Sequence, residues 1–480
     1  MQSPAAIARW STQVDANTCV AVAGPVVALI ATYAVLSDRR SLVLAVLVAA
    51  IATVLALRPR WSVYGFVLLA TTALPTWAHT TRRFAGQSVR YYEVLLAVAL
   101  MYVLLDKRLR PSGGTLVRAA VFLGVVLMSW FVDANSVTSR SRATLEALLL
   151  MDMVAAYVVA AAVTNTEIGW EALKALRVSL WISAPITIAG SVGLLTLAGH
   201  TEETGLAGTL TGGTRLLTAA QFPAAAVASG CLALIVSGRK SFRSTWTYLL
   251  PALAIMLFAF SRNHLIMLAV ATLVGLLMSR SLYQVTALAA RVLVVAVILV
   301  PLYLLGTRVF ASTAPVHYVT TQVTSYRERV LAGLTGKALA TDPSAQYRLA
   351  ENNNLIAVAH ENTVMGHGLG YAFQPPTSTD PRADFGYNVA PYYGHNFYLW
   401  WLVVAGIVGL CAFAWVFAAP ALVAFRSRSP AGIALAPVLV ALLVTSAVAP
   451  LPEDAPNSVV LGAVAGALVA IRRREVAERT

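Results

Sequence analysis

Long stretches almost free of charge recur along this sequence, and they limit its possible folds more than any other feature. "VLLAVALMYVLL" (94–105) and "FYLWWLVVAGIVGLCAFAWVFAAPALVAF" (397–425) are two of them. Apolar runs of roughly 17–22 residues recur along the chain, about the length needed to cross a bilayer's hydrocarbon core. With 58% of the 480 residues apolar and 12% charged, a water-soluble chain would have nowhere to bury so many. In lipid each backbone donor and acceptor needs a partner inside the protein, which a helix supplies within its own segment. The expected fold is therefore all-α, a polytopic membrane protein.

Candidate spans lie at about 19–36, 41–57, 62–77, 91–105, 115–132, 145–163, 178–198, 217–237, 245–260, 263–279, 285–305, 396–419, 431–450 and 457–471. Counting the first two or not, 12 to 14 transmembrane helices are expected. Residues 306–394 separate two spans by roughly 90 residues, far more than an ordinary connection and long enough to carry function. The chain thus divides into N-terminal membrane helices (1–305), one large loop (306–394) and C-terminal membrane helices (395–480), within one integral membrane domain. Residues 1–18 are polar and contain Asp15, unlike a cleavable signal peptide. Cys19, Cys231 and Cys411 are far apart in apolar runs, so they read as small core residues rather than a disulfide or metal set. The net charge of +14 is spread over the loops instead of forming one stripe. This favours membrane lipids over nucleic acid as the partner.

Lys and Arg in short loops set the orientation. "RKSFR" (239–243), "RSRS" (426–429) and "RRREVAER" (472–479) belong inside, and "DKRLR" (106–110) follows by counting spans. Arg39 and Arg40 depart from this pattern. The 199–216 segment, the 261–263 corner and the large loop then face outward. All seven histidines (79, 200, 264, 317, 360, 367 and 395) fall at or near that side. So do Arg215, Arg262, Arg327, Arg329, Arg348 and Arg382, on a face where basic residues are scarce. Lipid headgroups or a dedicated anionic ligand would account for them.

Four segments meet on the outer face. Arg215 precedes a span interrupted by Gln221 and Pro223, and Ser261-Arg262 forms the corner of a tight helical hairpin. Arg348 opens a short helix that ends at Gly366, Gly368 and Gly370. His395-Asn396 stands where polar, aromatic chain joins an apolar helix that reads as unbroken.

In their order and spacing these segments resemble the bacterial O-antigen ligase and O-antigen polymerase family of integral membrane glycosyltransferases. The resemblance covers residues 215–410 and is most specific at His395-Asn396-Phe397-Tyr398-Leu399, followed by Gly406-Ile407-Val408-Gly409-Leu410. This chain departs from the family pattern at Asn352-Asn353-Asn354, where an aromatic is common, and at Gln221-Phe222-Pro223, in place of Asn-Pro. The resemblance implies a GT-C-type fold in the plasma (inner) membrane, with its site facing the periplasm or exterior. It implies inverting, metal-independent transfer of a glycan from a polyprenyl-pyrophosphate carrier to a hydroxyl on a glycan or glycolipid acceptor. Ligase and polymerase both remain open. No cofactor is expected, and the sequence contains no Asp-x-Asp triplet.

The residue chemistry fits this reading. Nucleotide sugars are not available outside the cytoplasm, so a donor must arrive already activated. Guanidinium groups suit the charge of a departing pyrophosphate, which makes Arg215, Arg262 and Arg348 candidates to hold it. His395 is the candidate general base, with Asn396, Tyr393 and His264 as substrate-binding candidates. Arg215, Arg262 and His395 are expected to line one outward-open cavity.

Each residue also has a plainer reading. His395 would be an interfacial helix cap, and Arg215 and Arg262 would snorkel to lipid phosphate. Arg348 would pair with Glu351 or Glu361, Arg327 and Arg329 would be a solvated helix face, and Tyr392 and Tyr393 would belong to the interfacial belt. His264 and His367 would make local hydrogen bonds. Asp152, acidic and deep in a span, would pair with Arg118 or Arg291 or couple protons, and Glu93 stays unassigned. The functional rival is a transporter or flippase of lipid-linked glycan, although the sequence shows no inverted repeat.

Overall fold

The computed structural model describes residues 58–479 apart from 79–80, 85–86, 133–137, 204–213, 280–281, 310–312, 328–329 and 331–342. The runs 19–36 and 41–57, Cys19, Arg39, Arg40, His79, Glu328 and Arg329 lie outside the described residues. The chain divides into a unit of residues Met1–Gly65 and a unit of residues Phe66–Thr480, and the second holds the site.

That second unit is helical, as expected. Its principal helices are α1 (Tyr91–Leu105), α2 (Gly113–Phe131), α3 (Arg140–Val163), α4 (Glu167–Ser191), α5 (Gln221–Val236), α6 (Phe242–Phe258) and α7 (Arg262–Ser279). They continue with α8 (Leu282–Val309), α9 (Ala314–Tyr326), α10 (Pro343–Ala359), α11 (Phe397–Phe413), α12 (Ala419–Ala424), α13 (Pro430–Thr445) and α14 (Asn457–Ala477). Among the described residues, five segments are long and apolar enough to cross a membrane: α2, α3, α4, α7 and Phe397–Ala424. Helices α1, α5 and α13 are apolar and shorter.

The structure adds two antiparallel hairpins to the all-α expectation. In one, β1 (Thr81–Phe84) pairs with β2 (Gln87–Arg90); in the other, β3 (His200–Glu203) pairs with β4 (Thr214–Leu217). The second hairpin shortens the run expected at 178–198, because α4 stops at Ser191. The 306–394 segment is also more ordered than a bare connection. It begins inside α8 and holds α9, α10 and a π-helical turn at Asp384–Val389.

Hydrogen bonds between distant segments identify the two ends of the bundle. At one end Thr76 donates its N–H to Thr196, Phe397 to Ser446 and Ser139 to Gly370. The starts of α3 and α11 and the end of α13 therefore lie together. At the other end the Asn165 amide donates to the Ala470 carbonyl over 2.9 Å, and the Ser427 hydroxyl bonds to Glu475. The basic segments 426–429 and 472–479 thus share the end opposite the site.

Close backbone contact holds α3 against α14. A Cβ added at Gly462 would lie 2.0 Å from the Met153 carbonyl oxygen, and one at Gly466 would lie 2.0 Å from that of Tyr157. This is a Gly-xxx-Gly face, whose small residues let helices approach where lipid gives no hydrophobic incentive to associate. Gly462→Leu should cost about 3 kcal/mol through overpacking against rigid backbone. The expected result is a lower melting midpoint and a smaller monodisperse fraction after detergent extraction. Beside this contact, Phe122, Phe397, Trp401, Phe413 and Phe417 form a buried aromatic cluster joining α2 to α11.

Helix α11 is not continuous. Gly406 has φ 63° and ψ −165°, which breaks the helical path inside a run that the sequence presents as one span. The break exposes backbone groups, and the glycine turn of the long loop satisfies them. His367 and Gly368 donate to the carbonyls of Val403 and Val404 at 2.8 and 2.9 Å, while Ile407 donates to Thr363 at 2.9 Å. Gly366, Gly368 and Gly370 all have positive φ, of 72°, 91° and 75°. A Cβ on Gly366 would meet the Val404 carbonyl at 2.4 Å. Glycine is required here by both conformation and space.

Several expectations are corrected. Asp152 lies near Arg90 and Glu93, not Arg118 or Arg291: Arg118 stands over the Trp415 ring and Arg291 is exposed. Glu93 is a local cap, accepting from the Arg90 N–H at 2.8 Å and from its guanidinium at 2.7 Å. Cys231 is buried, but Cys411 is exposed rather than in the core.

Candidate active site

His395 sits one residue before the cap of α11. Its Nδ1 is 2.7 Å from Glu351 Oε2, and its backbone N–H bonds to Glu351 Oε1. Glu351 lies on α10, and its side chain is fully buried. A buried carboxylate is costly unless donors satisfy it, and one residue provides two. A carboxylate is an acceptor, so the proton of this pair belongs on Nδ1, leaving Nε2 with its lone pair. A histidine oriented by a carboxylate in this way is the arrangement of a general base. The side chain of His395 retains 21% exposure, enough to meet a substrate.

Aromatic rings enclose the imidazole. Tyr393, Tyr347 and Phe385 present ring centroids at 5.2, 6.0 and 6.4 Å, all roughly edge to face. Tyr347 stands one turn from Glu351 on α10, and Gln374 donates to its hydroxyl at 3.1 Å. Asn354, within the Asn triplet, donates to Gln374 in turn. Burial and the carboxylates of Asp454, Glu453 and Glu351 push the Tyr393 phenol well above its usual range, opposed by Arg348. Tyr393 is thus a neutral hydroxyl with Arg348 as a charged neighbour. Asn396 caps α11, its Oδ1 accepting from the N–H groups of Tyr398 and Leu399.

A second group forms at the β4–α5 and α6–α7 junctions. Arg215, on β4, donates through Nε to the Ala259 carbonyl at 3.2 Å. This holds it against the corner where Arg262 opens α7. His264, one turn into α7, is 2% exposed and meets the Phe222 ring at 5.3 Å, with Arg215 as its charged neighbour. Tyr326, at the end of α9, meets Phe260 in the same corner at 6.1 Å. The long loop therefore contributes α10 to the His395 group and α9 to the Arg215 group.

The glycine turn does not form an anion cradle. Gly366, His367, Gly368 and Leu369 donate their N–H groups to carbonyls of Asn362, Val403, Val404 and Ser129. Gly370 donates to Glu146 at 2.7 Å. His367 makes a local contact, Nε2 lying 3.2 Å from the Val358 carbonyl. The motif ties the loop to the bundle.

Sequence reasoning missed the carboxylates behind His395. Glu351 was visible only as a partner for Arg348, although a spacing of three places both on one side of a helix. Glu453, in the turn before α14, is 8% exposed and within backbone hydrogen-bond reach of Gly394, the neighbour of His395. Arg142 lies 3.8 Å from Glu146 and over the Tyr392 ring at 5.8 Å. Burial, followed by the proximity of Glu146 and Glu351, raises Glu453 well above the carboxylate range. The native state therefore binds a proton there that the unfolded chain has released. This stability is present below the unfolded value and is lost as pH rises through the folded one. Glu453→Gln should raise the melting midpoint at pH 8 and change it little at pH 4.5. A midpoint series across pH tests this.

A cavity of about 350 Å³ opens next to these groups. Thr218 and Gln221, just after Arg215, line one side; Asp454 and Asn457, just after Glu453, line another. Arg215, Arg262, Arg348 and His395 are not among its described lining residues.

Residues 246–414 match the family model described as O-Antigen ligase. That stretch is similar to an O-antigen ligase domain. The ligase-matched stretch contains Arg262, His264, Arg348, Glu351, the glycine turn, His395 and Asn396, whereas Arg215 lies before it. No curated protein matches the chain. A family of this kind supports a membrane glycosyltransferase, a lipid-linked glycan donor and a glycan acceptor in general terms.

Proposed function

We propose that this chain transfers a glycan from a polyprenyl-pyrophosphate carrier to an acceptor hydroxyl on the extracytoplasmic side of the plasma membrane. The observation that carries the reading is the His395–Glu351 pair within the O-antigen ligase match. His395 Nε2 takes the acceptor's proton as the hydroxyl oxygen attacks the anomeric carbon. The bond from that carbon to the phosphate oxygen breaks, and the pyrophosphate leaves with the electron pair. Attack opposite the leaving group inverts the anomeric centre. Glu351 holds the ring and stabilises the imidazolium, while Tyr393 and the Asn396 amide face the sugar. Arg348, Arg215 and Arg262 supply the positive charge that a metal ion provides elsewhere. The gathering of basic segments at the opposite end supports an outward-facing site.

A transporter would draw on the break in α11, since discontinuous helices build ion sites in such proteins. Here the loop backbone occupies the exposed groups at Val403, Val404 and Ile407, which favours the enzyme. Proteoliposomes given a polyprenyl-pyrophosphate oligosaccharide and an acceptor glycan distinguish the two. A mass increase of the acceptor supports the enzyme; translocation of the donor with no transfer to any acceptor rejects it.

A further inference from the structure

The cavity beside Arg215 has no role in the chemistry above, yet its walls are specific. Gln221 and Tyr92 both line it and are 8% and 6% exposed. Among the described residues, neither Gln221 Oε1 nor the Tyr92 hydroxyl has a hydrogen-bond partner. A buried polar atom without a partner costs about 1–3 kcal/mol, so two on one cavity mark a place where a ligand's donors and acceptors belong. Thr218 and Asn457 add neutral polar groups.

The charge on the walls restricts the ligand further. Arg90 lines the cavity, but Glu93 neutralises it through the 2.7 Å contact. Asp454, its Oδ2 accepting from Asn457 at 2.7 Å, adds a negative group. A pyrophosphate or another anion would meet a neutral pair and a carboxylate here. A compact, uncharged molecule rich in hydroxyls would meet acceptors, a phenol, an amide and tyrosine rings. The position agrees with this chemistry. Thr218 and Gln221 follow the Arg215 strand, and Asp454 follows Glu453, which reaches Gly394 beside His395.

We infer that this cavity is a saccharide subsite, taking one uncharged pyranose ring with Gln221 Oε1 and the Tyr92 hydroxyl as hydrogen-bonding anchors. The inference rests on the glycosyltransferase reading for its biological sense, but its test does not require turnover. Protein in lipid nanodiscs is examined by saturation-transfer difference NMR against lactose, cellobiose, rhamnose and N-acetylglucosamine, each at millimolar concentration, and against inorganic pyrophosphate. The expected result is saturation transfer to at least one sugar. It should fall at least tenfold in Gln221→Leu, which removes the anchor, and in Ala219→Leu, which fills the cavity. His395→Ala should retain it. If Gln221→Leu does not fold, as judged by its melting transition, Ala219→Leu alone decides.

No saccharide signal, signals that persist in the folded variants, or sugar displaced by pyrophosphate at equal concentration would overturn the subsite. Sugar binding together with failed transfer in proteoliposomes would keep the subsite and reject the enzyme reading. Transfer without Gln221-dependent sugar binding would do the reverse.

Discussion

His395→Ala should reduce glycan transfer by about 10²–10⁴-fold, the range typical of losing a positioned general base, while donor binding stays within a few-fold. The reason is the division of labour in the site. The imidazole faces the aromatic enclosure and Glu351, whereas the charge that would hold a pyrophosphate comes from arginines on other elements. Glu351→Gln keeps the shape but leaves one oxygen to accept and sets an amide N–H against a His395 donor, which favours the wrong imidazole tautomer, so its loss should approach that of His395→Ala. Single-turnover transfer measured beside a donor-binding isotherm separates the two effects. Transfer near the wild-type level in His395→Ala would reject the base assignment outright.

Gly406→Ala should be strongly destabilising. Its φ of 63° with ψ near extended is a region that side chains avoid, and the added Cβ would lie 2.1 Å from the Val364 carbonyl oxygen. Strain and overlap together should cost about 3–5 kcal/mol, much of the total stability of an ordinary domain. The expected readout is a melting midpoint lowered by ten degrees or more, or no recoverable folded protein. Gly124→Ala, inside α2, is a contrasting control, because its new Cβ meets no heavy atom within 4 Å and the helix continues there. Equal loss in both variants would mean that the break itself is not the cause.

Much of this architecture can be read from residues, because a bilayer permits few backbone solutions. The apolar runs at 115–132, 145–163 and 263–279 emerge as α2, α3 and α7 within a few residues. Arg348 lies on a helix, as the sequence suggests, and the glycine turn falls after it. What could not be read depends on contacts distant in sequence. Glu351 gives no sign of its meeting with His395, since 44 residues separate them. Gly406 looks like one more small residue in a span until the loop that fills its gap is seen. The strand pairs 81–84 with 87–90 and 200–203 with 214–217 have four residues per strand, too few for an apolar pattern to announce them. The Gly462-xxx-Gly466 pair likewise takes its meaning only from the carbonyls it presses against.

Helix α10 carries both Arg348 and Glu351, and in the proposed reaction the first would meet the departing anion while the second stands behind the base. Because they share a single rigid rod, that rod cannot tilt or slide without disturbing both at once. Seating it assembles the machinery in one step, and unseating it would disarm the imidazole as it loosens the hold on spent carrier.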